Sequence, residues 1–336
     1  MKNPECLFVE MEKWEAGRLK NTFDECSAIE TSADLLRDVL HGQYMRGCEV
    51  ISPFIYSRVN EETLDLLPDL KLVSTRSTGV DHIDMEACSR RGVAVCNVPT
   101  YGANTVAEHT FGLILSLTRR VHKAYEQTTR GRFNIRGLRG IDLRDRTIGV
   151  IGTGSIGTHV IRIALGFQMR VLAFDVSPVH HMADALGFRY VDMDTLLEES
   201  DIVTLHAPYN DKTHHMIDEE AIKKMKHGSI LINTARGALV DTDALVSGLK
   251  SGTPGGAGLD VLENEKAIME EGEILSRHYD DEALMTLVQN NILLRMKNVI
   301  ITPHIAFNSS EALDKILNTT IENIRGFRGG RPQNMV

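Results

Sequence analysis

Short apolar runs alternate with stretches of helical spacing along most of the chain. Residues 6–10, 48–52, 70–75 and 93–97 read as buried strands, from their length and their branched or small apolar residues. Between them, 33–40, 61–67 and 83–90 carry apolar positions at helical spacing. A second series repeats the alternation, with strands expected at 147–151, 170–175, 202–205, 229–233, 256–260 and 299–302. Helices fit 156–166, 196–199, 219–226, 243–249 and 282–293. The pattern predicts an α/β protein with two doubly wound parallel sheets, each covered by its own helices. Strand ends stopped at Pro99 and Pro303 mark the expected crossings between the halves. A long apolar helix is expected over 103–120, followed by an arm over 121–146. Six arginines fall within 130–146, but Gly131, Gly137, Gly140, Asp142 and Asp145 among them favour a solvated loop over an anion patch.

Composition narrows the function classes. At 336 residues the length suits about two domains. Thirty-seven basic against 46 acidic side chains give a net charge of −9, which argues against sequence-independent nucleic-acid binding. Apolar runs such as 111–117 fall far short of the roughly 18 residues a membrane-spanning helix needs. The N-terminal stretch meets acids too early for a signal-peptide core, so a cytoplasmic location is expected. Cys6, Cys26, Cys48, Cys88 and Cys96 are odd in number and widely spaced. They read as small buried hydrophobes, not as a disulfide frame or a metal site. The adjacent pairs His180–His181 and His214–His215 have poor metal geometry, since neighbours on a strand or helix do not face one point.

Gly152, Thr153, Gly154, Ser155, Ile156 and Gly157 form G-x-G-x-x-G. The motif follows the strand RTIGVI and opens a helix, and the next strand, RVLAF, ends at Asp175, 21 residues past Gly154. The first two glycines permit a tight turn and close approach to a pyrophosphate, and the third lets helix pack on strand. The helix N-terminus then offers unpaired N–H groups to phosphates. Asp175 can accept from both ribose hydroxyls and would repel a 2′-phosphate, which favours NAD over NADP.

Three later strands deliver an Arg, an acid and a His to one sheet edge: Arg236 after SILIN, the run Asp260–Glu265 after the next strand, and His304 after the last. Carboxyl ends of strands are where open α/β sheets bind ligands. A guanidinium can clamp a carboxylate and polarise the neighbouring carbonyl. An imidazolium can protonate that oxygen as hydride reaches carbon, with a carboxylate favouring its protonated form. The set fits hydride transfer to a 2-keto acid.

Over essentially its whole length the chain resembles the D-isomer-specific 2-hydroxyacid dehydrogenases, on the stretches TRSTGVDHID, VPTYGANTVAEHT, GVIGTGSIG, LHAPYN, INTARGALVD, GLDVLENE and NVIITPHIAF. The resemblance implies two Rossmann-like domains with the active site in the cleft between them. These would be a flavodoxin-like substrate-binding domain over 1–100 plus 305–336 and an NAD-binding domain over 101–304. It implies Arg236, Glu265 and His304 as the catalytic trio, with His304 the proton donor. Substrate contacts are implied at Thr78, Gly79, Tyr101 and Phe307. Cofactor contacts are implied at Val106, Gly152, Gly154, Ser155, Ile156, Gly157, Asp175, His206, Pro208, Thr213, Ala235 and Asp260. A homodimer through the 103–120 helix and the 121–146 arm is also implied.

Within the family, His304-Ile305-Ala306-Phe307 and Tyr101 look like the D-lactate dehydrogenase pattern, with Phe307 and Phe54 available to wall an apolar pocket. Asn308 departs from that pattern, where a second aromatic is common, and an acidic stretch over 264–296 separates Glu265 from His304. Pyruvate or a larger acid such as phenylpyruvate or 2-ketoisocaproate therefore stays open. Formate dehydrogenases, which resemble this fold, carry Gln where Glu265 stands. The alternatives are a glyoxylate/hydroxypyruvate reductase and, from another class, an NAD(H)-sensing corepressor-like regulator. A compact chain without disordered tails speaks against the latter.

Overall fold

A computed structural model describes residues 4–22, 28–265 and 281–336. The chain divides into two units, Met1–Gly102 with Ser309–Val336, and Ala103–Asn308. Both are wound around parallel sheets, as the alternating pattern predicts.

The first unit carries β1 (Cys6–Phe8), β2 (Ile29–Thr31), β3 (Val50–Ser52), β4 (Leu72–Ser74) and β5 (Ala94–Cys96), ordered β2-β1-β3-β4-β5. That order is the flavodoxin type, whose winding order reverses between the parallel strands β1 and β3. Three-residue strands suffice because β1, β3 and β4 are buried throughout. The C-terminal helix Ser310–Arg328 returns to this unit, and its Leu317, Ile321 and Ile324 join Cys6, Phe8, Val50, Leu72 and Cys96 in one core. Asn323, fully buried on that helix, donates to the Asn97 carbonyl at 2.8 Å and accepts from Asn334 at 2.7 Å.

The second unit carries β6 (Thr147–Ile151), β7 (Arg170–Phe174), β8 (Arg189–Tyr190), β9 (Ile202–Leu205), β10 (Ile230–Asn233), β11 (Gly256–Leu259) and β12 (Val299–Ile301). Their order is β12-β11-β10-β9-β6-β7-β8, all parallel, so the order of winding reverses between β6 and β9. The helix Ala103–Arg119 buries Val106, Ala107, Thr110, Phe111, Leu113 and Ile114 in the core of this unit, beside Ile148, Val150 and Ile232. Helix starts follow sequence chemistry. Asp84, Asp192, Asp218, Asp241 and Ser309 each accept a backbone N–H from the first turn, contacts that stabilise a helix by about 1 kcal/mol apiece.

Several elements lie outside the sequence pattern. The helix Lys13–Thr22 escapes it because its inward stripe pairs Leu19 with the buried carboxylate of Glu15, four residues apart. Val121–Thr129 is a helix that buries no residue, and His180–Leu186 buries only Ala183, so neither leaves an apolar period to read. The edge strands Ile29–Thr31 and Arg189–Tyr190 are short and partly exposed. The expected helix at 33–40 shortens to Leu36–Leu40.

One cysteine reading needs correction. Cys48, Cys88 and Cys96 are free and buried, and burial pushes the thiols up, to about 12 at Cys48 and about 11 at Cys96. Cys6, however, is disulfide-bonded. The absence of a Cys-x-x-Cys pair in the sequence does not exclude such a bond. Cys26 lies outside the described residues, as does most of the acidic stretch between Glu265 and the helix Asp281–Arg295. No described helix is long and apolar enough to cross a membrane.

Candidate active site

The glycine motif joins β6 to the helix Ser155–Gly166, beside the reversal in strand order. Gly152 has φ +92°, and a Cβ there would lie 2.7 Å from the His206 carbonyl. A Cβ on Gly157 would lie 2.0 Å from the Gly152 carbonyl oxygen, so this glycine permits the helix–strand packing. Gly154 differs. It caps the helix, and a Cβ there would meet nothing within 4 Å. The open space beside the helix N-terminus is what a dinucleotide pyrophosphate would fill, so the residues fit the group.

Asp175 stands at the end of β7. Burial raises its pKa, but donation from the Thr153 and Ser177 N–H groups and from the Thr153 hydroxyl outweighs that and leaves it lowered. The bonds are 2.7, 2.9 and 2.9 Å, so the carboxylate is ionised and fixed with acceptor capacity left for ribose hydroxyls. His206 follows β9, and burial pushes its imidazole down to about 3. With Nε2 bonded to the Thr204 hydroxyl at 2.9 Å, it is neutral and no proton donor at pH 7. Thr213 bonds the Pro208 carbonyl at 2.8 Å and holds the loop after β9.

Three strand ends carry the reactive side chains. After β10, buried Asn233 accepts from the Ala235 N–H at 3.0 Å and donates to the Arg236 carbonyl at 2.8 Å, which fixes the turn presenting Arg236. Gly237 follows because the loop after β11 presses on it; a Cβ would lie 2.1 Å from the Leu262 carbonyl carbon. That loop carries Glu265, whose Oε1 lies 2.7 Å from His304 Nδ1. The pairing leaves Nε2 as the nitrogen that would transfer a proton. His304 adopts φ +53°, uncommon for a non-glycine residue.

Asp260 explains how that backbone is held. Its side chain is fully buried, and its carboxylate accepts from Ile305 N–H at 3.0 Å, Ala306 N–H at 2.8 Å and the Thr302 hydroxyl. Its carbonyl accepts from His304 N–H at 2.8 Å. His109 completes the cluster, with Nε2 3.0 Å from the Thr302 hydroxyl. The sequence implies a cofactor contact at Asp260 and carries no signal for His109 or Thr302. Nothing in their spacing, more than 40 residues apart around Asp260, signals the meeting.

Phe307 packs edge-on to His304, with ring centroids 6.3 Å apart. It stays with the second unit because Asp260 binds the amides just before it. Thr78, Gly79 and Tyr101 belong to the first unit. There the Thr78 hydroxyl bonds the Val98 carbonyl at 2.8 Å, Asn97 donates to the Thr78 carbonyl at 2.7 Å, and Ser77 bonds the Gly79 carbonyl at 2.7 Å. Among the described residues, the N–H groups of Ser77, Thr78 and Gly79 donate to no protein group. An anion could take them.

Residues 111–306 match the family described as D-isomer specific 2-hydroxyacid dehydrogenase, NAD binding domain. The chain is 37% identical to the D-lactate dehydrogenase of Escherichia coli K12 over 289 residues, 84% of either chain. It is 38% identical over 288 residues to an aromatic 2-oxoacid reductase of Clostridium sporogenes, covering 84% of this chain and 83% of that one. A D-lactate dehydrogenase of Aquifex aeolicus, solved with NAD and lactic acid, superposes with a TM-score of 0.85 at 35% identity, covering 98% of each chain. The chain belongs to the D-isomer-specific 2-hydroxyacid dehydrogenases and is an NAD-dependent oxidoreductase of D-2-hydroxy acids.

Proposed function

We propose that the chain reduces an apolar 2-keto acid to the D-2-hydroxy acid, with Arg236, Glu265 and His304 as the catalytic trio. The observation that carries the reading is the 2.7 Å pair of His304 Nδ1 and Glu265, with the backbone of residues 304–306 clamped on Asp260. His304 Nε2 gives its proton to the carbonyl oxygen, and the Glu265 charge stabilises the imidazolium before transfer. Arg236 pairs with the substrate carboxylate and orients the carbonyl. NADH, when bound, supplies the hydride. Thr78 and Gly79 offer amides to the carboxylate, and Tyr101 and Phe307 contact the substrate. Val106, Ser155, Ile156, His206, Pro208, Thr213, Ala235 and Asp260 line the cofactor, with the glycines and Asp175 at its pyrophosphate and ribose.

Relatives named for lactate and for aromatic 2-oxoacids support an apolar side chain, as does the aromatic Phe307 beside His304. A homodimer is proposed on the segment after the Ala103–Arg119 helix. It leaves Tyr125, Phe133 and Ile135 at 69, 86 and 88% exposure, apolar area that a second copy would cover. A cytoplasmic location is proposed on the three free buried thiols of Cys48, Cys88 and Cys96. The test follows NADH absorbance with pyruvate, phenylpyruvate, 2-ketoisocaproate, glyoxylate and hydroxypyruvate, with NADPH in parallel. Oxidation of NADH with pyruvate or a larger apolar acid is expected. Turnover of glyoxylate or hydroxypyruvate alone would move the assignment to that reductase group. Silence across the panel with NADH still bound would overturn it.

A further inference from the structure

Arg76 is 1% exposed, the largest fully buried side chain among the described residues. It makes no ion pair there. Its guanidinium instead collects carbonyls, with Nη2 2.8 Å from both the Val9 and Glu10 oxygens and Nη1 3.1 Å from the Ser52 oxygen. Its own N–H donates to the Pro53 carbonyl at 3.0 Å, and its guanidinium carbon lies 5.5 Å from the centre of the Phe54 ring. One side chain thus ties together the segments leaving β1, β3 and β4, beside the β1–β3 point where the strand order reverses in the first sheet.

Glu10 works with it. Glu10 has φ +57°, and its carboxylate accepts the N–H groups of Phe54, Tyr56 and Ser57, each at 3.0 Å. The loop after β3 is therefore fixed twice, by Arg76 on its carbonyls and ring and by Glu10 on its amides. Two residues beyond Arg76 begin the unpaired amides of Thr78 and Gly79.

Resting on the function proposed above, we infer that Arg76 is a positioning residue for substrate selection. It sets Phe54 as a wall for the substrate side chain and holds the Thr78–Gly79 amides for its carboxylate. The role needs the guanidinium fork, because one ammonium cannot reach three carbonyls on two separate segments in a planar arrangement.

The test compares wild type with Arg76→Lys, Phe54→Leu and the double variant, on glyoxylate, pyruvate, 2-ketoisocaproate and phenylpyruvate, with NADH affinity read by fluorescence. For Arg76→Lys, KM for the acids should rise about tenfold while kcat falls less than about threefold. The kcat/KM ratio of phenylpyruvate to glyoxylate should fall about fivefold, and NADH affinity should stay within about twofold. Phe54→Leu should lower the same ratio, and adding Arg76→Lys should lower it no further. An unchanged ratio in Arg76→Lys, or a loss of NADH affinity as large as the rise in KM, overturns the inference. Should Arg76→Lys fail to fold by circular dichroism, Glu10→Gln decides. It should lower the ratio in the same direction, and an unmoved ratio sinks the proposal. A wild-type chain that reduces none of the acids overturns the functional reading instead, and this inference with it.

Discussion

The loops at the two sheet ends share one device, a carboxylate gathering amides (Glu10 in the first unit, Asp260 in the second), and differ in that the first adds a buried guanidinium. In the second unit a buried carboxylate, Asp260, gathers N–H groups from 305 and 306 and so holds His304 at φ +53°. In the first unit a buried guanidinium, Arg76, gathers carbonyls from 9, 10 and 52 and so holds Glu10 at φ +57°. A non-glycine residue in the left-handed region costs on the order of 1 kcal/mol or more and persists only where its surroundings impose it. The difference follows from the task. The second unit must aim one imidazole at a carboxylate partner, which an anion binding the flanking amides does. On the proposed function, the first unit leaves the Thr78 and Gly79 amides without a protein acceptor for an anionic substrate, which a cation drawing neighbouring carbonyls to itself allows.

Separate substitutions should break the two halves of that comparison differently. The largest effect is expected from Arg236→Ala, which removes the substrate clamp. The kcat/KM for the keto acid should fall about a thousandfold or more, while NADH titration is unchanged. Turnover near wild type would remove Arg236 from the trio. Asp260→Asn should come next, with a kcat loss of about a hundredfold and KM for the acid little moved, since it frees the backbone behind the proton donor. If KM rose instead, the anchoring role would fail and the contrast with Arg76 with it.

Much of this architecture is legible in the sequence because buried parallel strands and amphipathic helices leave periods of their own. The nucleotide motif is legible too, since its glycines answer local steric demands at 152 and 157. The anchoring residues are not. Arg76 sits inside TRSTGVDHID as one more polar residue, and its acceptors are 24 and 67 residues away. Glu15, buried on a helix face, erases the period that would have revealed its helix. Long-range burial of charge has no periodic signature, so only the fold brings these groups together.

Smaller effects test the cofactor side of the second unit. Asp175→Ser removes the charge at the end of β7 and should narrow the preference for NADH over NADPH by about tenfold in kcat/KM; an unmoved ratio would take Asp175 off the ribose. His206 should show in stability. Its imidazole binds a proton near 6.5 when unfolded but only near 3 when folded, so stability is fully present above 6.5 and falls as pH drops toward 3. His206→Asn should flatten that fall in thermal midpoints, and parallel curves would contradict the burial argument.

The pair of His304 and Glu265 carries the central claim, and the pH profile of keto-acid reduction in wild type and Glu265→Gln reads it directly. Reduction needs the protonated imidazole, so it must fail as pH rises. Without the neighbouring negative charge that failure should move to lower pH, with kcat about tenfold down below it. An unmoved profile, with only the rate reduced, would contradict the assignment of proton transfer to this pair.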